Sequence, residues 1–132
     1  MNIVDSVNSL GLPKGEYLVF GSGPMSQYKI RESEDIDLFV SNKLYQKLKA
    51  DGWEEMGKLA SNNLRLSKFN VEIFKSWNFG AYRPEFKKII ATAEYVDDVA
   101  FAPLSEVLKW KSAFGRPRDL DDIKLINRYL KV

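Results

Sequence analysis

Residues 16–40, EYLVFGSGPMSQYKIRESEDIDLFV, constrain the chain more than any other stretch. An apolar segment, Tyr17-Leu18-Val19-Phe20, delivers a glycine turn, Gly21-Ser22-Gly23-Pro24, and a second apolar segment opens with Asp35-Ile36-Asp37. Strand side chains alternate, so Asp35 and Asp37 are expected to project from the same face. Two neighbouring carboxylates repel unless positive charge lies between them. Hard divalent cations such as Mg²⁺ take oxygen ligands and keep positions open for phosphates. The turn offers backbone N–H groups and a hydroxyl beside an expected helix start, which suits an anion. An anion cradle next to paired carboxylates points to metal-assisted chemistry on a nucleotide.

The rest of the composition excludes the main competing chemistries. The 132 residues contain no cysteine and no histidine. Disulfides, thiol nucleophiles, cysteine zinc sites, Ser-His-Asp triads and HExxH sites are therefore ruled out. Catalysis would rest on carboxylates, lysine, tyrosine, serine or an oxygen-held metal. A net charge of +2, from 20 basic and 18 acidic residues, lacks the strong basic excess of a dedicated duplex binder. The opening MNIVDSVNSL has no basic segment followed by an apolar run, and no apolar stretch reaches membrane-spanning length. The expectation is one domain over 1–132, cytoplasmic and without a membrane partner.

Along the chain, Ile3, Val4, Val7 and Leu10 predict a short helix ending at Gly11. A strand over 17–20 follows the turn at 12–15, then a helix over 25–30 with Pro24 at its first position. In the strand over 35–40, Ile36, Leu38 and Val40 face away from the acids. Ser41-Asn42 caps a helix carrying Leu44, Tyr45 and Leu48, which Gly52 stops. Strands are expected over 53–60 and 64–69, with a turn at 61–63 between them, and a further strand at Val71-Glu72-Ile73-Phe74. A loop over 76–83 leads to a helix over 85–93 and a strand over 95–101 broken at Asp97-Asp98. A helix over 103–114 ends at Gly115-Arg116-Pro117. Asp119 is then expected to cap a last helix with Asp122 in its first turn and an apolar stripe of Leu120, Ile123, Ile126 and Leu130. Alternating helices and strands predict an α/β or α+β domain.

Each chemical signal has a plainer reading. Gly-Ser turns are common, and exposed strands often begin with acids. Glu72 is a carboxylate between Val71 and Ile73, equally suited to a solvated sheet face. The combination, each member beside an apolar strand, favours convergence of Ser22, Asp35, Asp37 and Glu72. Lys111 reads as a lysine snorkelling from an apolar stripe or as a phosphate contact. Arg31, Arg116 and Arg118 read as surface charge before ligand contacts. Trp77, Phe79 and Tyr82 suit either base stacking or core packing.

With these motifs in hand, the chain resembles the DNA polymerase β-like nucleotidyltransferase superfamily. The resemblance lies in Phe20-Gly21-Ser22, twelve intervening residues, Asp35-Ile36-Asp37, and then Val71-Glu72-Ile73. Residues 104–111 (LSEVLKWK) and Gly115-Arg116-Pro117-Arg118-Asp119-Leu120-Asp121-Asp122 are similar to the branch holding abortive-infection toxin nucleotidyltransferases, where a lysine precedes a Lys/Arg-Asp-x-x-Asp segment. The likeness implies the minimal nucleotidyltransferase fold, a mixed twisted sheet with helices packed on it. It implies Asp35, Asp37 and Glu72 as catalytic and metal-binding acids, with two Mg²⁺ ions or Mn²⁺ in their place. It also implies Gly21, Ser22 and Lys111 on the nucleotide. Three features depart from the usual pattern: Gly23-Pro24 stiffens the turn, the third acid is Glu, and residues 1–132 are expected to lack the extra helical domain of larger members.

The function so implied is transfer of an NMP from an NTP to a hydroxyl on a small molecule, a tRNA or a protein. The alternative is a catalytically weak nucleotide-binding or regulatory module with a protein partner, such as a toxin–antitoxin component.

Overall fold

The computed structural model describes residues 2–33, 35–57 and 63–131. The far end of the expected 53–60 strand and most of the 61–63 turn lie outside the described residues. The elements, in order, are α1 (Ile3–Asn8), β1 (Tyr17–Phe20), α2 (Gly23–Gln27), β2 (Ile36–Val40), α3 (Asn42–Ala50), β3 (Glu54–Met56), β4 (Arg65–Lys68) and β5 (Val71–Phe74). After them come α4 (Phe86–Ile89) with a 3₁₀ turn (Ile90–Thr92), β6 (Glu94–Val96), β7 (Val99–Phe101), α5 (Leu104–Phe114) and α6 (Pro117–Leu130). The domain is mixed α/β, and its strands form one sheet in the order β3-β4-β5-β2-β1-β7-β6.

The middle of the sheet mixes directions. β2 runs parallel to β5 and antiparallel to β1, while β1 runs parallel to β7. The outer pairs β3–β4, β4–β5 and β6–β7 are antiparallel. Period-two alternation assigns each strand residue to a face. Val19, Leu38, Ile73 and Leu66 align across four strands and are fully buried on one face. The next row, on the other face, is Phe20, Asp37, Glu72 and Ser67. That face thus combines aromatic packing with carboxylates: Phe20 stacks on Trp77 at 4.8 Å and meets Trp110 of α5 edge-on at 5.7 Å.

Local chemistry sets most boundaries. Asn2 caps α1 by accepting from the Asp5 N–H, and Ser41 caps α3 by accepting from the Leu44 N–H. Asp97 and Asp98, both with positive φ, form the two-residue turn between β6 and β7, so the expected 95–101 strand is a hairpin. The expected 64–69 strand is shorter. It ends at Lys68, and Phe69 takes φ 55° in the turn to β5, where it is 93% exposed. Pairing Lys68 with Val71 leaves only Phe69 and Asn70 to reverse the chain, which overrides the alternating pattern.

The last helix corrects the sequence reading most clearly. α6 starts at Pro117 with Arg116 at its cap, so Asp119 lies inside the first turn. Its buried residues are Asp119, Asp122 and Ile126, while Leu120 and Leu130 are each 53% exposed. Of the expected stripe Ile126 stays inside, while Leu120 and Leu130 turn outward because the two carboxylates face buried Lys111 on α5. Ile126→Ala is accordingly expected to cost about 2–5 kcal/mol. Leu130→Ala should change stability by no more than about 0.5 kcal/mol. Urea unfolding of the two variants measures the difference, and equal losses would contradict this orientation.

Candidate functional site

The acids of the sequence motif meet on the Phe20 face of the sheet. Asp37 on β2 is the register partner of Glu72 on β5, in adjacent parallel strands, so their side chains share one face. Asp35 lies in the bend just before β2 and lines the same cleft. The cleft measures about 830 Å³, and its walls also include Ser22, Arg31, Lys111, Arg116 and Arg118. Among the described residues, no group of three or more Asp, Glu, His or Cys residues is gathered tightly enough to hold a metal ion. Glu72 carries a counter-ion from within the fold, because Arg65 on neighbouring β4 ion-pairs with its carboxylate through Nε.

Asp37 is the most strained member electrostatically. Burial, then the charges of Glu72 and Asp35, push its carboxyl up to about 7, with Arg65 and Arg118 opposing the rise. A carboxylate disfavoured in this way suits a hard cation, since all its donor atoms are oxygen. Gly21 explains how the turn comes so close. It sits at φ 63°, and a Cβ there would fall on Oδ2 of Asp37. Only glycine both adopts that backbone and leaves room for the carboxylate.

Ser22 occupies the cap position of α2 but makes no capping hydrogen bond; its backbone is helical there rather than extended, and the second helical residue, Pro24, has no N–H to offer. Its Oγ instead accepts from Nη2 of Arg31 at 2.7 Å. Arg31 also grips Asp122, donating from Nε to Oδ1 at 2.8 Å and from Nη2 to Oδ2 at 2.9 Å. Asp122 in turn accepts from Lys111 Nζ at 2.8 Å, and Lys111 Nζ lies 3.4 Å from Oδ1 of Asp119. Asp119 closes the chain on Arg116, accepting from its backbone N–H at 3.0 Å and from its Nε at 2.7 Å.

Burial by itself would raise Asp119 and Asp122. Hydrogen bonds from Arg116, and from Arg31 and Lys111, outweigh it and hold both below the ordinary carboxylate range. Arg31 and Arg116 are thus structural partners of carboxylates rather than loose surface charges. Lys111 is 1% exposed, so it does not snorkel; it lies in the cleft wall with its ammonium already engaged by Asp119 and Asp122. Arg118 has no ion pair or hydrogen bond among the described residues and faces the acid cluster closely enough to lower Asp37. Trp77 and Phe79 are buried in the aromatic cluster under the cleft, and Tyr82 donates to Glu106 at 2.7 Å.

The link from Arg31 to Ser22 and the pairing of Arg65 with Glu72 were not apparent in the sequence. Arg31 lies nine residues after Ser22 in a polar loop, with no periodic pattern to mark it. Arg65 had a weak signal: on a strand antiparallel to the Glu72 strand, its parity puts it on the acid face.

No family model, no curated protein and no solved structure matches this chain. No helix among the described residues is long and apolar enough to cross a membrane.

Two outcomes follow for the apo protein. Gly21→Ala is expected to lose about 1–3 kcal/mol through backbone strain, with the clash against Asp37 added. Introducing Asp37→Ala beside it should recover part of that loss in denaturant titrations. The second outcome concerns pH. The folded carboxyl of Asp37 titrates near 7, above its ordinary 3.8, so the folded state binds the extra proton between those values. Its contribution is fully present below about 4 and is lost as pH rises through about 7. In chelator, Asp37→Asn should melt higher than the parent at pH 8, with the advantage vanishing towards pH 4. An advantage that does not change with pH would contradict the assignment.

Proposed function

We propose that the protein is a Mg²⁺-dependent nucleotidyltransferase of the DNA polymerase β-like type, moving an NMP from an NTP to a hydroxyl acceptor. The observation that carries this reading is the side-by-side register of Asp37 and Glu72 in a cleft that also receives Asp35 and Ser22. The cleft brings together the charges that a nucleotide with its cation requires. Its lining joins the acids Asp35, Asp37 and Glu72 with Arg31, Arg116, Arg118 and the Ser22 hydroxyl.

Asp35 and Asp37 would hold the cation, and their oxygen donors and the raised carboxyl of Asp37 fit that role. When bound, such an ion neutralises phosphate charge and acts as a Lewis acid. The remaining steps belong to the chain. The Gly21-Ser22 turn and Arg118 hold the phosphates, with the half-buried Phe114 and the aromatic floor excluding water. The acceptor oxygen bonds to the α-phosphorus as the bond from that phosphorus to the bridging oxygen breaks. Pyrophosphate leaves with the electron pair, and the hydroxyl proton passes to Glu72, which Arg65 holds in place.

A binding or regulatory module is the second reading, favoured by one observation: Arg65 already occupies the Glu72 carboxylate. The test is pyrophosphate release from each NTP with Mg²⁺ across small-molecule, tRNA and protein acceptors. Asp35→Asn and Asp37→Asn should each reduce release by at least about a hundredfold, while far-UV circular dichroism is unchanged. Nucleotide-dependent thermal stabilisation of the parent without release would favour the module, and full activity in the double variant would remove the enzyme reading.

A further inference from the structure

We propose that Arg31 is a positioning residue for Ser22, fixing its hydroxyl as a hydrogen-bond donor to a phosphate oxygen in the cleft. The inference deepens the nucleotide reading above and rests on it. Three features of the structure lead there. Ser22 stands at a helix cap without capping, so its hydroxyl is not committed to its own helix. Its oxygen accepts from Arg31 Nη2 at 2.7 Å, and among the described residues its own O–H has no acceptor. A hydroxyl whose lone pair is filled by a cationic donor keeps its proton to give, and the adjacent positive charge strengthens that donation to an anion.

Arg31 is itself held from three sides. Its fork is closed on Asp122 at 2.8 and 2.9 Å, and Nη1 donates to the Glu32 carbonyl at 2.9 Å, in the loop that leads to Asp35. Asp122 is anchored by Lys111, which is 1% exposed. The buried pair therefore fixes the guanidinium, and the guanidinium fixes the hydroxyl. A lysine at position 31 would keep the charge, but its single nitrogen lacks the planar fork that spans Asp122 and Ser22 together.

The test is a double-mutant cycle on the full chain, read as the Kd for inorganic tripolyphosphate by calorimetry. Ser22→Ala should weaken binding about tenfold, the loss of one charge-assisted hydrogen bond. Arg31→Lys should weaken it by a similar factor, and no more than Ser22→Ala does. In the Ser22→Ala background, Arg31→Lys should cost less than about twofold, because residues acting through one contact are not additive. Equal costs in the two backgrounds, a larger loss in Arg31→Lys than in Ser22→Ala, unchanged binding in Arg31→Lys, or a parent protein that does not bind tripolyphosphate would each overturn the proposal. Arg31→Gln supplies the same cycle if Arg31→Lys does not fold.

Pyrophosphate release from each NTP with Mg²⁺ across the same small-molecule, tRNA and protein acceptors, measured on the parent, separates the two readings. A coupled cycle without release keeps the role of Arg31 and removes the transfer reaction. Release with an uncoupled cycle does the reverse.

Discussion

A lysine ammonium cannot be left alone in a protein interior, and much of this structure follows from the burial of Lys111. Desolvating one ion costs several kcal/mol unless partners and hydrogen bonds replace the water. Asp119 and Asp122 supply those partners, and both come from the first turns of α6. The helix must therefore lie with its carboxylates inward. Gly115, in the left-handed conformation, ends α5 and turns the chain so that α6 can pack back against it. Arg116 and Arg31 satisfy the remaining carboxylate oxygens, so the charges form one chain of contacts from α5 to the Gly21-Ser22 turn. Such a network adds little net stability compared with an apolar core, but it tolerates the loss of a member badly and so specifies one arrangement.

The opposite side of the cleft is built on the reverse principle. Asp37 and Glu72 are brought together by strand register, and their like charges repel. The fold accommodates this in two ways: Arg65 takes up Glu72, and Asp37 shifts towards its neutral form. Strain of this kind is stored where packing elsewhere over-determines the backbone. Here the over-determination is the fully buried row Val19, Leu38, Ile73 and Leu66, which fixes the register from the other face of the same strands. A slip by one residue would expose that row and turn Glu72 away from Asp37.

The two sides meet at Gly21. The turn passes so close to Asp37 that no side chain fits, and the next residue, Ser22, is tied by Arg31 to the lysine network. A change in either charge system therefore reaches the same few atoms at the mouth of the cleft. The Arg31–Asp122–Lys111 network and the Asp37–Glu72–Arg65 group are held by separate scaffolds, the first resting on α5 and α6 and the second on the sheet.

The sequence by itself determined the local elements and the identity of the acid cluster. Apolar segments marked β1, β2 and β5, apolar spacing marked α1, Ser41 marked the start of α3, and Asp97-Asp98 marked a break, because each depends on interactions within a few residues. The same locality made Gly21, Ser22, Asp35, Asp37 and Glu72 legible as candidates, since strand parity and turn chemistry can be read from spacing. What only the tertiary structure decided was how charges separated in sequence pair. The apolar spacing of α6 suggested Leu120 and Leu130 inside, yet Asp119 and Asp122 took that face because Lys111, on another helix, had to be neutralised. Arg31 and Arg65 found Ser22 and Glu72 for a similar reason. Coulomb attraction and desolvation act through space and leave no period in the chain, so their outcome is fixed only when the sheet and helices have packed.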